Sequence, residues 1–429
     1  MSVIETRKRP WRDPLAVANG LRHLDGPLAL LSDGGALGRW SFVAAEPDHV
    51  YAGALPDGGL GPLGASPFEA GVVGLIAYDA GARAATGPRP EVWPDLMLAR
   101  YPAMLAFDHR DRSVSAIGRG DDPASALAAV ERAETWLAAA RDPVQPAAPA
   151  MSFEAEASPD AYTAAVADVV ERIAAGELFQ ANIARAWSGS LAPETDPFDV
   201  ILRLSGRAAA YGAFWRLGDL AIVSNSPELF LTFDPGTRRV ETRPIKGTRP
   251  RDPDPARDAA LAAELQASAK DRAENLMIVD LMRNDLARVA QPGSVAADRL
   301  FEIESHPTVH HLVSTVSARA RDGAGPADLL AATFPPGSIT GAPKHQAMKV
   351  IAGHEPPRGP WCGSLFHLQD DGRMTASVLI RTASFRRSPD GWRFRALAGA
   401  GIVADSEPEA ELAETDAKIR ALREALTGS

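Results

Sequence analysis

Cysteine and long apolar runs are almost absent from this chain. Among its 429 residues the single cysteine is Cys362, which excludes an intramolecular disulfide and any metal site built from several thiolates. The longest apolar runs, such as residues 70–78, are far shorter than the roughly 20 residues that a membrane span needs. The N-terminus also lacks an apolar signal core. We therefore expect a cytoplasmic protein in a reducing compartment, with no membrane partner.

The chain has fewer positively charged than negatively charged residues. Aspartate and glutamate number 55 against 45 lysines and arginines, and the formal net charge is −10, which argues against a nucleic-acid partner. A hydrophobic content of 45% with 23% charged residues is typical of a folded globular protein. An anion site in such a chain must be locally basic or must hold a metal ion.

Lysine is the scarcest of the charged residues. Only six lysines accompany 39 arginines, so the lysine in Pro-Ile-Lys-Gly-Thr-Arg-Pro, Lys246, is unusual. A compact amine that can lose its proton and attack a substrate would explain it. Taken alone, a lysine in a surface turn is the simpler interpretation, and the neighbouring motifs must decide.

Three prolines within residues 142–150 predict an extended connector. It separates an N-terminal region, residues 1–141, from a catalytic domain, residues 151–429. The first part ends in a predicted helix over residues 123–141. In the second part Ser158 is the predicted N-cap of a helix that ends near Gly176.

The remaining pattern of the second part has strands at both ends and helices between them. Predicted strands cover residues 211–216, 219–224, 228–233, 239–243 and paired segments within 373–403, while helical patterns cover 254–289 and 408–426. Lys246 therefore falls where a strand runs into a loop. This order predicts an α+β fold with mostly antiparallel sheets.

Two acidic pairs have the i, i+3 spacing that places both carboxylates on one face of a helix. They are Asp271 with Glu274 and Glu411 with Glu414, and Lys418 continues the second face. Solvated helix faces are one interpretation. The other is a Mg²⁺ site between two helices, because Mg²⁺ takes oxygen ligands. Spacing alone does not bring the two helices together.

Arg381 lies inside a predicted apolar strand over residues 378–382, where an arginine needs a partner such as a carboxylate. The small residues of 337–344 could bind an anion at a helix start or form an ordinary turn. His306, His310 and His311 lack metal-ligand spacing, so packing or hydrogen bonding is the default interpretation for each.

A series of short motifs occurs in one order along the chain. They are Gly-Glu-Leu-Phe-Gln (176–180), Ser-Pro-Glu (226–228), Pro-Ile-Lys-Gly-Thr-Arg-Pro (244–250), Asp-Leu-Met-Arg-Asn-Asp-Leu (280–286), Gly-Ser-Ile-Thr-Gly-Ala-Pro-Lys (337–344), Ala-Gly-Ala-Gly (398–401) and the segment 411–418. Together they resemble the chorismate-utilising enzymes, which include anthranilate synthase component I, aminodeoxychorismate synthase component I, and the isochorismate and salicylate synthases. Residues 38–42 and 71–79 resemble the same family more loosely. The resemblance implies large, mostly antiparallel sheets packed as a sandwich with helices outside.

The resemblance also implies a role for individual residues. Glu274 and Glu414 would bind Mg²⁺ directly, with Asp271 and Glu411 supporting through water, and Glu228 would be the general acid at the C4 hydroxyl of chorismate. His311 is placed in the catalytic group beside the ring. The implied substrate-binding residues are Gln180, Thr248, Ser338, Thr340, Trp361, Arg381, Ala400, Gly401 and Lys418.

Lys246 decides the implied reaction. Anthranilate synthases carry alanine at this position, whereas lysine there marks the aminodeoxychorismate synthases, in which it forms a covalent intermediate. The implied reaction is amination of chorismate at C4 with ammonia, leading towards 4-aminobenzoate and folate. Cys362 has no glutaminase context, so a separate glutamine amidotransferase is the expected partner.

Two alternatives stay open at this point. One is another member of the family, either an anthranilate synthase or an isochorismate or salicylate synthase. The other is a binding protein without turnover, which Trp361 and Phe366 would support because the family usually has tyrosine and glycine at these positions.

Overall fold

A computed structural model of the chain describes residues 3–428 except residues 36, 57–58, 208 and 307–308. The helices of the described residues are α1 (Pro14–Leu21), α2 (Tyr78–Thr86), α3 (Pro123–Ala138), α4 (Pro159–Ala174), α5 (Pro197–Leu204), α6 (Pro255–Ala267), α7 (Ala269–Ala287), α8 (Pro326–Thr333), α9 (Lys344–His354) and α10 (Pro408–Thr427), with short 3₁₀ turns at Ser205–Arg207 and Gly337–Ile339.

The strands of the described residues form two sheets. They are β1 (Val3–Pro10), β2 (Leu28–Leu31), β3 (Trp40–Ala44), β4 (His49–Gly53), β5 (Val72–Ile76), β6 (Leu96–Arg100), β7 (Ala103–Asp108), β8 (Ser113–Gly120), β9 (Glu154–Ala155), β10 (Gln180–Ser190), β11 (Tyr211–Leu217), β12 (Leu220–Ser226), β13 (Leu229–Asp234), β14 (Arg239–Thr242), β15 (Ile245–Pro250), β16 (Ala296–Ser305), β17 (Val309–Arg319), β18 (Gly341–Ala342), β19 (Ser364–Leu368), β20 (Met374–Val378), β21 (Thr382–Ser388) and β22 (Gly391–Ile402).

The first sheet has 12 strands in the order β1-β8-β7-β3-β2-β11-β12-β21-β22-β10-β18, with β9 beside β10. The second has 10 strands in the order β15-β17-β14-β13-β20-β19-β5-β6-β4, with β16 beside β17. Neighbouring strands pair antiparallel, as in β10 with β22 and β15 with β17. The predicted α+β class with large antiparallel sheets is therefore confirmed.

Strand β5 explains how the two sheets pack. All five of its residues are buried, and side chains alternate between the two faces of a strand. Val73 and Leu75 pack with residues of the first sheet, while Val72 and Ile76 pack with α2, α7 and α8. The second sheet thus lies between the first sheet and a layer of helices, which gives the predicted sandwich.

The predicted connector does not separate two folding cores. Strand β2 of the first part pairs with β11 of the second part, and β5 pairs with β19. Residues 142–149 form no helix or strand. Both sheets therefore contain strands from each side of the connector. The assignment of residues 1–141 as an N-terminal region and of residues 151–429 as the catalytic domain stays a prediction.

Helix α4 begins where the sequence predicts. The hydroxyl of Ser158 accepts a hydrogen bond from the backbone N–H of Ala161 at 3.2 Å, and Pro159 follows in the first turn. Proline fits there because the first helical N–H groups have no partner within the helix. The capping signals therefore place this helix correctly from sequence alone.

Two local predictions were wrong. The helical pattern over 254–289 is broken at Ser268, which ends α6 and caps α7, so two helices replace one. Arg381 lies between β20 and β21 with a φ of 52°, outside any strand. In both places the apolar pattern continues through a backbone break that only the tertiary packing reveals.

Among the helices of the described residues, none combines the length and apolar character required to cross a membrane.

Candidate active site

A cavity of about 630 Å³ opens between strands of both sheets and the helices α7 and α10. Most of the predicted site residues line it: Glu228, Lys246, Thr248, Asp271, Glu274, His311, Ser338, Trp361, Arg381, Gly401, Glu411, Glu414 and Lys418. They come from separate elements spread over residues 228–418. The fold therefore brings these side chains together around one cavity, which the sequence spacing alone could not predict.

Gln180, Thr340 and Ala400 are predicted site residues that do not line this cavity. Ala400 packs in an apolar cluster with α4 and α9, and the Thr340 hydroxyl donates to the carbonyl of Pro336 at 2.8 Å. Gln180 is fully buried, and neither polar atom of its amide has a hydrogen-bond partner among the described residues.

Glycine at position 401 leaves room for the Lys246 amine and the Gln180 amide beside strand β22. A Cβ atom on Gly401 would lie 3.0 Å from Lys246 Nζ and 3.2 Å from Gln180 Nε2. Both contacts are tighter than an ordinary van der Waals approach. A side chain at position 401 would therefore displace the amine of Lys246.

Glu228 lies in the turn between β12 and β13, at the inner wall of the cavity. It is 5% exposed, and the hydroxyl of Ser338 donates to its Oε1 at 2.6 Å. Burial raises the pKa of Glu228 to about 7, although the Ser338 hydrogen bond and the charges of Lys246 and Lys418 oppose the rise. A carboxyl with this pKa carries a proton near neutral pH and can act as a general acid.

Lys246 lies at a bulge within β15 and not in a loop after a strand, which corrects the prediction. Ile245 pairs with Val313 and Thr248 with His311, so two residues of β15 oppose one of β17. A bulge turns side chains away from the regular alternation. Gly247 allows it, with a φ of 88° and no room for a Cβ beside Asp271.

The surroundings of Lys246 favour a neutral amine. Burial lowers its pKa, and the charge of Lys418 lowers it further, while Glu274, Glu228 and Glu414 raise it. The amine faces the cavity. A lysine with a lowered pKa has a larger share of the nucleophilic form near neutral pH.

His311 is held as a neutral ring. Its Nδ1 lies 2.9 Å from the hydroxyl of Thr248. Burial lowers the pKa of His311 to about 3, helped by the charges of His306 and Arg381. The imidazole can therefore contact a substrate without adding charge to the cavity.

Two cations are positioned to hold a negatively charged ligand. The guanidinium of Arg381 faces the cavity with no hydrogen bond to a described residue, and burial lowers its pKa. Lys418 donates to the carbonyl of Gly399 at 2.9 Å and pairs with Glu414 at 2.5 Å. A partly buried arginine whose guanidinium has no hydrogen-bond partner among the described residues indicates a site for an anionic group.

The four predicted metal-binding carboxylates share the cavity but are not gathered around one point. In the part of the chain that the structure describes, no group of three or more histidine, cysteine, aspartate or glutamate side chains could hold a metal ion. Lys418 pairs with Glu414, Ser406 donates to Glu411 at 2.7 Å, and Arg249 donates to Asp271 at 3.2 Å.

The donor set nevertheless fits Mg²⁺ chemically. All four groups are carboxylates on two helices that line one cavity, and Mg²⁺ prefers oxygen ligands. Burial raises the pKa of Glu274 and of Glu411. A bound cation would offset this cost of holding buried carboxylates in their charged form.

The sequence interpretation missed Asn182. It lies in β10, lines the cavity, and its Oδ1 is buried without a hydrogen-bond partner among the described residues. A signal was present, because Asn182 lies two residues after Gln180 and the period of a strand is two. Polar residues on that face of β10 point to the same region.

Comparison with known proteins assigns the family. The family described as chorismate binding enzyme matches residues 48–424. This chain belongs to that family. Its members act on chorismate, and the chain is accordingly a chorismate-utilising enzyme.

Relatives of this chorismate-binding enzyme carry two different activity names. It is 41% identical over 360 residues to aminodeoxychorismate synthase component 1 of Salmonella typhimurium, covering 82% of this chain and 76% of the relative. It is 39% identical over 368 residues to anthranilate synthase component 1 of Thermus thermophilus, covering 84% and 78%. The names therefore leave the product open.

A solved structure of the same family supports the fold. Anthranilate synthase component I from Streptococcus pneumoniae superposes with a TM-score of 0.78 at 26% identity, covering 90% of this chain and 92% of that chain. The predicted resemblance to the component I fold is confirmed.

Proposed function

We propose that this chain is the chorismate-aminating component of an aminodeoxychorismate synthase. The observation that carries the proposal is a partly buried lysine, Lys246, whose pKa is lowered and whose amine faces the same cavity as the protonatable Glu228. Two close relatives at 41% and 40% identity are named aminodeoxychorismate synthase component 1. The product would be 4-amino-4-deoxychorismate.

In the first half of the reaction the chain supplies a nucleophile and an acid. The neutral amine of Lys246 forms a bond to C2 of chorismate, both ring double bonds shift (C1=C2 to C1=C6 and C5=C6 to C4=C5), and the bond from C4 to its hydroxyl breaks. Glu228 donates its proton to the departing hydroxyl, which leaves as water. The ring is then attached to Lys246, and Glu228 is a carboxylate.

The second half reverses the shift of the double bonds. Ammonia forms a bond to C4, both ring double bonds return to their original positions, and Lys246 leaves C2 as a neutral amine. The new ammonium group at C4 returns one proton to Glu228, so the enzyme is restored. Chorismate and ammonia are consumed, and aminodeoxychorismate and water are formed.

Other residues of the cavity would bind and orient the substrate. Arg381 and Lys418 are proposed to hold its carboxylates, and the neutral His311 to contact the ring. Glu274 and Glu414 are proposed to hold Mg²⁺, with Asp271 and Glu411 behind them. Bound Mg²⁺ would supply positive charge that fixes the ring carboxylate.

A partner would supply the ammonia. The name component 1 of the relatives implies a second component. Cys362 is fully buried, and burial raises the pKa of its thiol above the usual range. A glutaminase nucleophile needs an accessible thiol with a lowered pKa, so we propose that a separate glutamine amidotransferase delivers ammonia to this chain.

An anthranilate synthase is the second candidate, favoured by the 39% identity to the enzyme of that name from Thermus thermophilus. It would use the same cavity but would need no lysine nucleophile. Lys246 counts against it, because alanine is expected there in anthranilate synthases.

Product identity tests the proposal directly. The purified protein is mixed with chorismate, Mg²⁺ and ammonium, and the products are identified by mass spectrometry. We expect aminodeoxychorismate from the wild type. Lys246→Ala should reduce its formation by at least about a hundredfold, because the covalent step is lost.

Lys349→Ala is the matched control, since Lys349 is an exposed lysine on α9 outside the cavity. It should retain full activity. Anthranilate or isochorismate from the wild type would overturn the proposal, as would unchanged aminodeoxychorismate formation by the Lys246 variant.

A further inference from the structure

Arg358 is a buried arginine that lies behind the cavity wall without lining the cavity. It is 1% exposed. Its guanidinium donates to both carboxylate oxygens of Glu355 at 2.8 and 2.9 Å, to the carbonyl of Asn182 at 2.6 Å and to the carbonyl of Ile339 at 3.2 Å. One planar group therefore joins the segment 355–358 to strand β10 and to the turn that ends at Ile339.

Two of these contacts lead to the cavity. Asn182 and Ile339 line the cavity themselves. Ile339 follows Ser338, whose hydroxyl donates to Glu228. The position of the 3₁₀ turn Gly337–Ile339 thus sets the position of the Glu228 carboxyl, and Arg358 holds the end of that turn.

The guanidinium also packs against two aromatic rings. Its central carbon lies 4.6 Å from the ring centre of Tyr78 and 5.0 Å from that of Trp361. Trp361 lines the cavity, and its Nε1 is buried with no hydrogen-bond partner among the described residues. Contact with Arg358 is therefore one of the interactions that orient this ring.

Tyr78 connects the site to the N-terminal part of the chain. The motif 71–79 has no role in the proposed chemistry. Tyr78 packs on Arg358, and the carboxylate of Asp79 accepts a hydrogen bond from the N–H of Gly359 at 2.7 Å. The motif therefore supports the segment that carries both Arg358 and Trp361.

A fully buried guanidinium tolerates little change in its surroundings. Removing a partner leaves an uncompensated charge, which is costly in a low-dielectric interior. The fork of arginine is also specific, because lysine presents one point charge and cannot bond a carboxylate and two carbonyls in the same plane. These contacts therefore fix one arrangement of the wall.

We propose that Arg358 is a positioning residue for the chorismate reaction, which holds the turn bearing Ser338 and the ring of Trp361 so that Glu228 meets the substrate in one geometry. The inference rests on the proposed role of Glu228 as the general acid. The charged groups that act on Glu228 are Lys246 and Lys418, and Arg358 acts through the turn.

The test compares Arg358→Lys with Arg119→Lys, a matched control. Arg119 is also a buried arginine whose fork pairs with a carboxylate, that of Asp370, and with the carbonyl of Tyr101, but it lies away from the cavity. We expect Arg358→Lys to lower kcat about tenfold to a hundredfold while KM for chorismate changes much less. The alkaline limb of its kcat–pH profile should shift, and that of the control should not.

Thermal unfolding separates a structural role from positioning. The proposal stands if both variants lose similar stability but only Arg358→Lys has a reduced kcat at temperatures well below its unfolding transition. It falls if Arg119→Lys loses kcat equally, or if Arg358→Lys keeps the wild-type kcat and pH profile.

Glu355→Gln keeps the test decisive if Arg358→Lys does not fold. This substitution preserves the shape of the side chain that pairs with Arg358 and removes only its charge. The alkaline limb of its kcat–pH profile must shift as that of Arg358→Lys does. Failure of the proposed function is recognised separately, because the wild type would then form another product. The kcat–pH profiles of the same variants would then be measured for formation of that product. An alkaline limb that does not shift in Arg358→Lys would again overturn the positioning role.

Discussion

At the scale of single residues, burial moves two pKa values towards each other. The pKa of Glu228 rises to about 7, and that of Lys246 falls below its ordinary value. In water a carboxyl would be charged and an amine protonated at neutral pH. In this cavity both can be neutral together, which is the combination that an acid and a nucleophile require.

The pH dependence of the reaction follows from these directions. The protonated form of Glu228 is present below its pKa, so kcat/KM should fall as the pH rises above about 7. The neutral amine of Lys246 increases with pH until its lowered pKa is passed, which gives the acidic limb. Glu228→Gln should lower kcat about 10²–10⁴-fold and abolish the alkaline limb.

The measurement is a kcat/KM profile between pH 5 and 9 with saturating Mg²⁺ and a constant concentration of free ammonia. Glu131→Gln, at an exposed site on α3, is the control and should follow the wild type. A Glu228→Gln profile that still falls above pH 7 would assign the acid to another group.

At the scale of elements, the break between α6 and α7 sets the direction of the first acidic pair. Ser268 ends α6, and its hydroxyl accepts a hydrogen bond from the N–H of Asp271 at 3.2 Å, in the first turn of α7. Asp271 and Glu274 follow within this turn and the next. A single helix over 254–289 would aim them differently.

Ser268→Ala should therefore have two effects. Loss of the cap should lower the free energy of unfolding by about 1 kcal/mol. The first turn of α7 should also fray, and the Mg²⁺ concentration for half-maximal activity should rise several-fold. Urea unfolding and a Mg²⁺ titration of the initial rate measure the two effects.

Ser158→Ala removes an equivalent cap from α4, where Ser158 also accepts a hydrogen bond at 3.2 Å. Its stability loss should match, but its Mg²⁺ dependence should equal that of the wild type. An equal shift in both variants would mean that the cap affects activity only through global stability.

At the scale of the whole molecule, the two parts of the chain depend on each other for their sheets. Strands β2 and β5 of the first part pair with β11 and β19 of the second. A fragment consisting of residues 151–429 would expose the edges of both sheets and the apolar face of β19. Unpaired, apolar strand edges favour aggregation.

If the chain is cleaved within the connector, the two pieces should consequently remain associated. Val144 is 80% exposed, so a protease site introduced beside it should be cleaved in the native protein. The nicked protein should elute as one species and unfold in one transition, whereas residues 151–429 expressed alone should not fold. Separation of the two pieces in native buffer would show two independent domains.

The sequence determined much of this outcome through local signals. Capping residues and prolines placed α4, and the predicted strands match β11 to β14 and the hairpin β21–β22. The central strands β10, β16, β17 and β19 were not predicted. Motif identity selected Lys246, Glu228 and the acidic pairs, since a reactive group is recognisable by residue type and immediate neighbours.

Only the tertiary structure decided how these pieces meet. The bulge at Lys246, the break at Ser268 and the position of Arg381 between strands are set by packing across the sheets, which the pattern of one segment does not record. Arg358 contacts Asn182 and Tyr78, which are both more than 150 residues away in the sequence. Their burial, and the pKa shifts of Glu228 and Lys246, exist only once distant segments exclude water together, because desolvation belongs to the assembled cavity and not to any one stretch of sequence.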